Sequence, residues 1–485
     1  MTALGDSLEL TIEDLTVEGG GLARHEGRVI FTDKGLPGER VLARLTRVKP
    51  RFALAAVEKT LVPSPTAQPP HCPHAGICGG CAWPGLPYAE ELAWKERQLR
   101  ETLRRVGKVE ESLLADPDVF LPIIPSPAVS EYRNKLEFAF GLAPGAGPDD
   151  GAALGLRLRG SHDVLEVEHC PLAAFPHREL LETVRAWAGE EGLAPWKEGG
   201  KGSGFLRHLV LRRSGASCIV ELITAPCAEK SPEQKAVERL AATLRPEAQP
   251  GGQPGGQAEV LCAGFIHSLR SSPSAVAYGE ARRFERGETV MEETLAGTIF
   301  RAPVPAFLQV NTAAASLLYE TAREFARAGG EEGEGKPGGG ILDLYCGVGG
   351  LAVTLAAMPE FRDTPVTGVD TMGVAIAAAR ENALRAGVSP RFETADSAAC
   401  LEALREAPGL VAADPPRAGL PADLVDSLLR LRPARILLVS CNPATLARDV
   451  AGLGDAYLLR RARGVDLFPR AAHMESVLLL ERRPG

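Results

Sequence analysis

The alternation of apolar and polar positions changes character twice along the chain, which predicts a multidomain α/β protein with three domains. Residues 8–60 contain short alternating runs, such as RVIF and RVLARLTRV, separated by turns that contain glycine. Such runs are typical of half-buried strands joined by tight bends. A cluster of prolines at positions 63, 65, 69 and 70 then ends the pattern. We therefore predict an OB-like β-barrel over residues 1–62.

The next segment, residues 63–305, mixes helical and strand-like patterns and predicts a central α+β domain. Apolar positions at helical spacing indicate a long amphipathic helix from Tyr88 to Val106, whereas LEFAFGL, LRHLVLRRS and SCIVELIT are typical of strands. Stretches rich in glycine and proline interrupt this segment at 143–152, 195–204 and 246–257. Such compositions are typical of surface connections, so we assign them no chemistry.

Strands and helices alternate regularly after a glycine-rich linker at 328–340. Apolar strands in ILDLYC, VTGVD, LVAAD and RILLVSC are separated by helical patterns. This order predicts a doubly wound, Rossmann-like parallel sheet, and we assign residues 306–485 to this C-terminal domain. Ligands of such sheets bind outside the carboxyl ends of the strands, where the sequence places Asp343, Asp370, Asp414 and Cys441.

The amino-acid composition limits the classes of function that this protein can have. The chain has 54 Lys and Arg residues and 62 Asp and Glu residues, which gives a formal net charge of −8. A generic phosphate binder has an excess of positive charge instead. Basic residues nevertheless cluster at 40–51 and 95–108, either as solvated faces or as contacts to RNA. Because no apolar run approaches ~18 residues and the first residues show no signal-peptide pattern, we expect a cytoplasmic protein without a membrane partner. Ten cysteines then indicate metal binding or thiol chemistry.

The sequence DLYCGVGG, residues 343–350, lies at the end of a predicted strand and contains three glycines. Because glycines have no side chains, the backbone of this turn can approach a ligand closely. Asp370 follows at the next strand end and can accept hydrogen bonds from ribose hydroxyls of a dinucleotide or of S-adenosylmethionine. Asp414 opens the sequence DPPR, whose prolines hold an extended loop that presents the acid to the same crevice.

Cys441 and Glu475 are the candidate catalytic pair. Cys441 lies at a strand end directly before the helical pattern ATLARDVAGL, so we expect the helix dipole to lower the pKa of its thiol and to make it a nucleophile. Glu475 precedes the apolar strand SVLLLERR, where burial can raise the pKa of its carboxyl group enough for proton exchange near neutrality.

A cysteine cluster is expected in the central domain. Cys72, Cys78 and Cys81 form the pattern C-x5-C-G-G-C, a spacing that lets three thiolates converge on one centre. Cys170 is the best candidate for a fourth ligand. Four thiolates suit a [4Fe–4S] cluster or zinc, and the spacing is unlike the usual C-x2-C pairs of zinc sites.

Together these motifs resemble the RNA uracil-5-methyltransferase family, in particular its iron–sulfur branch that acts on 23S ribosomal RNA. The N-terminal barrel is similar to a TRAM domain, and the sequence FLQVN, residues 307–311, resembles the F-x-Q-V-N stretch that opens the family's catalytic domain. The resemblance implies four groups of site residues. They are Cys441 as nucleophile and Glu475 as base; Gln309, Tyr345, Gly350, Asp370, Asp396 and Asp414 at the cofactor S-adenosylmethionine; Cys72, Cys78, Cys81 and Cys170 as cluster ligands; and Phe307 and Arg133 near the RNA.

Two positions depart from the family pattern. The family commonly has Asn where Gly350 stands and Glu where Asp370 stands. The shorter acid can still reach ribose hydroxyls after a small backbone shift, whereas Gly350 offers only backbone contacts. We therefore expect the departures to affect cofactor affinity rather than the fold or the reaction.

The expected function is methyl transfer from S-adenosylmethionine to C5 of a uridine in 23S ribosomal RNA, in a single-stranded or loop region, by a monomeric enzyme. The expected mechanism passes through a covalent bond between Cys441 and C6 of the base. Four alternatives stay open: the same reaction on tRNA, methylation of an exocyclic nitrogen, a nicotinamide-dependent oxidoreductase, and a non-catalytic RNA-binding assembly factor.

Overall fold

The computed structural model describes residues 3–147, 150–197, 203–246, 262–328 and 339–484. The glycine-rich stretches predicted at 246–257 and 328–340 therefore lie almost entirely outside the described residues. Among the described residues, no helix is both long enough and apolar enough to cross a membrane.

The N-terminal domain is a six-stranded, barrel-like sheet, formed entirely within the described residues 7–62. Its strands are β1 (Ser7–Thr11), β2 (Asp14–Leu15), β3 (Gly21–His25), β4 (Arg28–Thr32), β5 (Arg40–Val48) and β6 (Phe52–Val62). The strand order is β1-β5-β6-β4-β3-β2, and only the pair β4–β6 is parallel. Alternate residues of the strands, such as Val41, Ala43 and Leu45 of β5, form a buried core, as the alternating pattern predicts.

Two helices connect this domain to the next sheet, α1 (Tyr88–Arg105) and α2 (Glu111–Ala115). The predicted long helix is confirmed to within one residue. Its inner face does not pack on the central sheet. Leu99 and Leu103 of α1 belong to the same buried cluster as the strands of the C-terminal domain.

The central sheet has seven strands in the described part of residues 135–287 and carries two helices. The elements that follow α2 are β7 (Lys135–Gly141), β8 (Ala153–Arg157), β9 (Val164–Leu165), α3 (Arg178–Glu190), β10 (Leu206–Ser214), β11 (Ser217–Thr224), α4 (Pro232–Leu244), β12 (Gly264–Leu269), β13 (Ala281–Gly287), β14 (Val290–Leu295) and β15 (Thr298–Pro303). The sheet order is β13-β12-β11-β10-β7-β8-β9, with β11 and β12 parallel, and β14–β15 is a separate hairpin.

The two faces of the central sheet bury against different neighbours, because successive side chains of a strand point to opposite faces. Val220 and Leu222 of β11 pack with apolar residues of α3 and α4. Ile219 lies in the cluster that includes the C-terminal domain. The hairpin β14–β15 joins that cluster through Met291 and Phe300. The predicted domain boundaries after residues 62 and 305 stay predictions, and the second boundary falls within continuous packing.

The C-terminal domain begins with α5, which precedes a seven-stranded sheet in residues 339–484, all of which are described. Its elements are α5 (Thr312–Arg327), β16 (Ile341–Leu344), α6 (Gly350–Ala356), β17 (Val366–Asp370), α7 (Gly373–Arg385), β18 (Arg391–Thr394), α8 (Ser397–Ala403), β19 (Leu410–Ala413), α9 (Ala422–Leu431), β20 (Arg435–Ser440), α10 (Pro443–Leu453), β21 (Tyr457–Val465) and β22 (Glu475–Arg482). The order is β18-β17-β16-β19-β20-β22-β21.

This order confirms the doubly wound prediction and fixes where a ligand can bind. From β16 the chain proceeds to β17 and β18 on one side, and then returns to add β19 and β20 on the other side. These five strands are parallel. Strand β22 runs antiparallel to β20, and the edge strand β21 runs antiparallel to β22, in the same direction as the first five strands. The crossover direction changes between β16 and β19, so a crevice opens beyond the carboxyl ends of these two strands.

A buried cluster of charges joins α1 to the loop between β21 and β22. The Lys95 ammonium donates hydrogen bonds to Glu91 Oε1 at 2.7 Å, to Asp466 Oδ1 at 2.8 Å and to the carbonyl oxygen of Phe468 at 3.1 Å. The three charged side chains have no solvent exposure. The Tyr88 hydroxyl also donates to Asp466, at 2.9 Å. The basic segment 95–108 is therefore not wholly a solvated face, because its first lysine is part of the core.

Replacing Lys95 with Met should lower the free energy of unfolding by about 3–5 kcal/mol, because two buried carboxylates lose their shared cation. Urea denaturation measures this change. Arg105→Met is the matched control on the same helix, since Arg105 is exposed and pairs with the exposed Glu101. Equal, small changes for the two variants would contradict a structural role for the Lys95 cluster.

Candidate active site

A cavity of about 440 Å³ lies at the carboxyl ends of β16 and β19, where the change of crossover direction places it. Seven of the residues predicted from the sequence to form the site line this cavity together: Phe307, Gln309, Tyr345, Gly350, Asp414, Cys441 and Glu475. These residues come from positions more than 160 apart in the chain. The fold therefore assembles one site from the motifs that the sequence shows separately.

Two of the predicted cofactor residues are outside this lining. Asp370 accepts hydrogen bonds from the backbone N–H groups of Gly347, at 3.0 Å, and Met372, at 2.8 Å. Asp396 caps α8 by accepting from the N–H groups of Ala398 and Ala399. Both acids thus hold the loops beside the crevice in shape, and their contacts with a cofactor stay a prediction.

The glycine turn between β16 and α6 brings the backbone of Gly347 and Gly350 to the wall of the cavity. Gly349 has φ of +90°, a conformation that residues with a Cβ atom rarely adopt. A Cβ atom at this position would also lie 3.2 Å from Ala379, Phe392 and Val353. The backbone conformation therefore favours glycine here, as the motif predicts, and a Cβ atom would also crowd its neighbours.

Cys441 and Glu475 are neighbours across an antiparallel pair of strands. Ser440, the last residue of β20, is paired with Ser476 of β22, so the same register places Cys441 opposite Glu475. Glu475 is buried, with 3% of its surface exposed, and its Oε2 atom has no hydrogen-bond partner among the described residues. A thiol and an unpaired carboxyl oxygen thus face the same cavity.

The expected lowering of the Cys441 pKa is wrong. Burial and the neighbouring carboxylate of Glu475 raise the pKa of the thiol to about 11, against the opposing effect of the Arg417 guanidinium. The helix dipole does not prevail, because Cys441 lies two residues before the first residue of α10 and a carboxylate is its near neighbour. With a pKa of about 11, the Cys441 thiol is therefore protonated at neutral pH.

The carboxyl groups of the cavity are also perturbed. Burial raises the pKa of Asp414 to about 6. Burial and the charge of Asp414 raise the pKa of Glu475 well above its ordinary value, as the sequence predicts for a residue that exchanges a proton. Asp343, at the end of β16, is shifted in the same direction by burial.

Arg417 and Phe468 line the cavity although the sequence suggested no role for either. The carbonyl oxygen of Arg417 accepts hydrogen bonds from Asn442 Nδ2 and Thr445 Oγ1, both at 3.1 Å, which fixes the DPPR loop against α10. Phe468 lies in the loop whose neighbouring carbonyl groups accept from Asn311 and Tyr132. Arg417 follows the two prolines of DPPR, and Phe468 precedes the proline of DLFP, residues 466–469, so both could have been found beside these motifs.

The four predicted cluster cysteines, all half-buried, line a second cavity, of about 820 Å³. Burial and the neighbouring thiols Cys170 and Cys78 raise the pKa of Cys81 to about 12, so these sulfur atoms lie close to one another. Arg133 lines this cavity rather than the first one, while Phe307 and Arg417 line both. Among the described residues, no group of three or more His, Cys, Asp or Glu side chains is arranged to hold a single metal ion.

Comparisons with known proteins agree with this architecture. The TRAM domain model matches residues 2–57, and the tRNA (uracil-5-)-methyltransferase model matches residues 406–483. An uncharacterized RNA methyltransferase of Nitratidesulfovibrio vulgaris is 40% identical, over 99% of this chain and 97% of the relative. Another uncharacterized RNA methyltransferase, from Thermosynechococcus vestitus, is 32% identical, over 98% of each chain.

A solved structure matches the whole length of the chain. The tRNA (uracil-54, C5)-methyltransferase of Pyrococcus abyssi, in complex with S-adenosyl-L-homocysteine, is 27% identical and superposes with a TM-score of 0.71. The match covers 97% of this chain and 99% of the other. The fold and the crevice thus define an S-adenosylmethionine-dependent enzyme that modifies RNA. The chain belongs to the family of RNA (uracil-5-)-methyltransferases with an N-terminal TRAM domain.

The raised pKa of Cys441 predicts how its alkylation by iodoacetamide depends on pH. Only the thiolate reacts, and a thiol of pKa about 11 increases its thiolate fraction about tenfold per pH unit between pH 7 and 9. Peptide mass spectrometry of the alkylated protein gives the rate at Cys441. Arg417→Leu should slow the reaction at each pH, because it removes the cation that favours the thiolate. A rate that is flat over this range would show that the thiolate is already formed at pH 7.

Proposed function

We propose that the protein transfers the methyl group of S-adenosylmethionine to C5 of one uridine in 23S ribosomal RNA, through a covalent bond between Cys441 and C6 of the base. The observation that carries the proposal is the register of β20 and β22. It sets the Cys441 thiol opposite the unpaired carboxyl oxygen of Glu475 in the cavity beyond β16 and β19.

The chemistry needs both residues. C5 of uracil is a weak nucleophile, and addition of the Cys441 thiolate to C6 moves the electrons of the C5=C6 bond toward an enolate that can attack an electrophile at C5. S-adenosylmethionine supplies an electrophilic methyl group and leaves as S-adenosylhomocysteine. The Glu475 carboxylate then takes the proton from C5, the C5=C6 bond re-forms, and the thiolate leaves C6.

The target base must leave its stack to reach Cys441, which favours single-stranded or loop RNA. Phe307 offers a platform for a base, since its ring lines the cavity and its side chain is one of the exposed large apolar groups, with 64% of its surface accessible. Aromatic side chains stabilise unstacked bases by stacking. Arg133 and Lys135 line the adjoining cavity and can neutralise phosphates of the same strand.

The second candidate substrate is tRNA. The Pyrococcus abyssi protein acts on uracil 54 of tRNA, and it matches this chain over nearly its full length. The choice of 23S ribosomal RNA depends instead on the four cysteines of the central domain, which resemble the cluster of the ribosomal branch. The chemistry at Cys441 and Glu475 is the same for either RNA.

We further propose that Cys72, Cys78, Cys81 and Cys170 hold a [4Fe–4S] cluster, with zinc as the alternative. Four thiols line one cavity, and a [4Fe–4S] cluster takes four cysteine ligands. Each thiolate binds a different iron atom, so the sulfur atoms need not converge on one point as they do around a single ion. Arg133 lies near Cys81 and Cys170 and can offset their negative charge. Methyl transfer contains no redox step, so the cluster would stabilise this region beside the RNA.

Glu475→Gln should lower the yield of 5-methyluridine on the order of 10²- to 10⁴-fold, because the C5 proton has no acceptor. A protein–RNA complex that resists denaturation should accumulate, since the thiolate cannot leave before this proton is removed. Gel electrophoresis of labelled RNA measures the complex. Glu481→Gln, on the same strand, is the matched control. Cys441→Ala should give neither product nor complex, and methylation by that variant would overturn the mechanism.

The substrate is tested by nucleoside mass spectrometry on unmodified ribosomal RNA and tRNA, each incubated separately with the protein and S-adenosylmethionine. We expect new 5-methyluridine in 23S ribosomal RNA at one mapped position. Product only in tRNA would overturn the substrate assignment and keep the chemistry. Absence of product in both, from protein that binds S-adenosylhomocysteine, would favour an RNA-binding assembly factor.

The metal site is tested by iron and sulfide analysis of protein purified without oxygen. We expect about four iron and four sulfide per chain in the unaltered protein, and a marked loss of both in Cys170→Ser. Cys227→Ser is the control, because Cys227 is half-buried but outside this cavity. Zinc in place of iron would identify the alternative, and metal-free protein would exclude both.

A further inference from the structure

Gly350 opens α6 and lines the floor of the catalytic cavity without a side chain. On the sequence alone, only backbone contacts with a cofactor are available here. The structure shows that the space above this glycine is filled by a side chain from another element. A Cβ atom at Gly350 would lie 2.4 Å from the hydroxyl oxygen of Tyr319 and 2.9 Å from its Cζ atom.

Tyr319 belongs to α5, and its position there resembles that of an ordinary core residue. Its side chain is 7% exposed and packs with apolar neighbours, but its polar end lines the catalytic cavity. Within the described residues, the hydroxyl group donates no hydrogen bond to a protein acceptor, in contrast to the buried Tyr457, which donates to the carbonyl oxygen of Pro433 at 3.0 Å. Because Tyr319 lines the cavity, a ligand bound there can accept the hydrogen bond of this hydroxyl group.

The charges around the hydroxyl group indicate which part of a ligand it meets. Asp343, Asp414 and Glu475 all interact with Tyr319 and, with burial, raise its pKa, so the phenol stays protonated and acts as a donor. Asp414, whose pKa is raised only to about 6, is largely ionised at pH 7 and attracts the ammonium and sulfonium charges of S-adenosylmethionine. The carboxylate of its methionyl part needs donors instead, and Tyr319 offers a neutral one.

We propose that Tyr319 is a cofactor-contacting residue. Its hydroxyl group, which occupies the space left by Gly350, donates a hydrogen bond to the methionyl carboxylate of S-adenosylmethionine. The inference rests on the proposed use of this cofactor. The contact beside the glycine turn is thus made by Tyr319 of α5, a residue outside the glycine motif.

The test is the affinity for S-adenosylhomocysteine, measured by calorimetry without RNA. Tyr319→Phe should weaken binding roughly tenfold or more, because a hydrogen bond to a charged group is lost. Binding of 5′-methylthioadenosine, which lacks the methionyl carboxylate, should be unchanged. Tyr457→Phe removes a buried, hydrogen-bonded hydroxyl group outside the cavity and should leave both affinities as they are.

A second variant separates this contact from general packing. Gly350→Ala should also weaken S-adenosylhomocysteine binding, since its methyl group would displace the Tyr319 hydroxyl. The double variant Gly350→Ala/Tyr319→Phe should bind no more weakly than the weaker single variant, because both changes remove the same contact.

Unchanged S-adenosylhomocysteine binding by Tyr319→Phe, or an equal loss for 5′-methylthioadenosine, would overturn the inference. Additive losses in the double variant would do the same. These outcomes are independent of the proposed function, because loss of RNA methylation with intact and Tyr319-dependent cofactor binding would overturn only the reaction.

Discussion

The interaction on which the catalytic cavity depends is the buried pairing of Lys95 with Glu91 and Asp466. One ammonium group joins two carboxylates and a carbonyl oxygen, and so fixes α1 to the loop that follows β21. The backbone N–H of Arg470 donates to Glu91 at 2.8 Å, which ties the far end of the same loop to the same helix. Buried charges are tolerated only when they are paired and hydrogen-bonded in this way. The loop can therefore hold Phe468 in the cavity and deliver the chain to Glu475 at the start of β22.

The electrostatics of the cavity follow from its position at the centre of the fold. Three carboxyl groups, those of Asp343, Asp414 and Glu475, are buried at the ends of parallel and antiparallel strands, and burial raises the pKa of each. Burial, together with Glu475 and Asp414, also raises the pKa of the Cys441 thiol. Such a site favours a positively charged ligand, and S-adenosylmethionine is a sulfonium cation. Binding of the cofactor would offset the charges that otherwise keep the thiol protonated.

The sequence predicts the sheet, its glycine turn and the meeting of Asp414 and Cys441 at one edge, because strand ends in a doubly wound sheet lie together. It names Glu475 as the base but does not predict that Glu475 lies opposite Cys441, since Glu475 begins an antiparallel strand. It does not predict the direction of the Cys441 pKa shift, which depends on a carboxylate brought close by the register of β20 and β22. Lys95 lies in a basic segment that is typical of a solvated face, and only the packing of α1 on the C-terminal sheet buries it. Tyr319 is missed for the opposite reason, since a tyrosine at helical spacing is ordinary core and its free hydroxyl group is visible only in three dimensions.

The most direct test of the account is the mass of the complex between the unaltered protein and RNA in which the target uridine is replaced by 5-fluorouridine. Fluorine at C5 cannot be removed as a proton, so the reaction should stop after methyl transfer with the base still bonded to the enzyme. In the presence of S-adenosylmethionine, we predict a stable one-to-one complex, with the methylated, fluorinated base attached to the peptide that contains Cys441. A complex attached to another residue, or methylation with no covalent complex, would contradict the central role of Cys441.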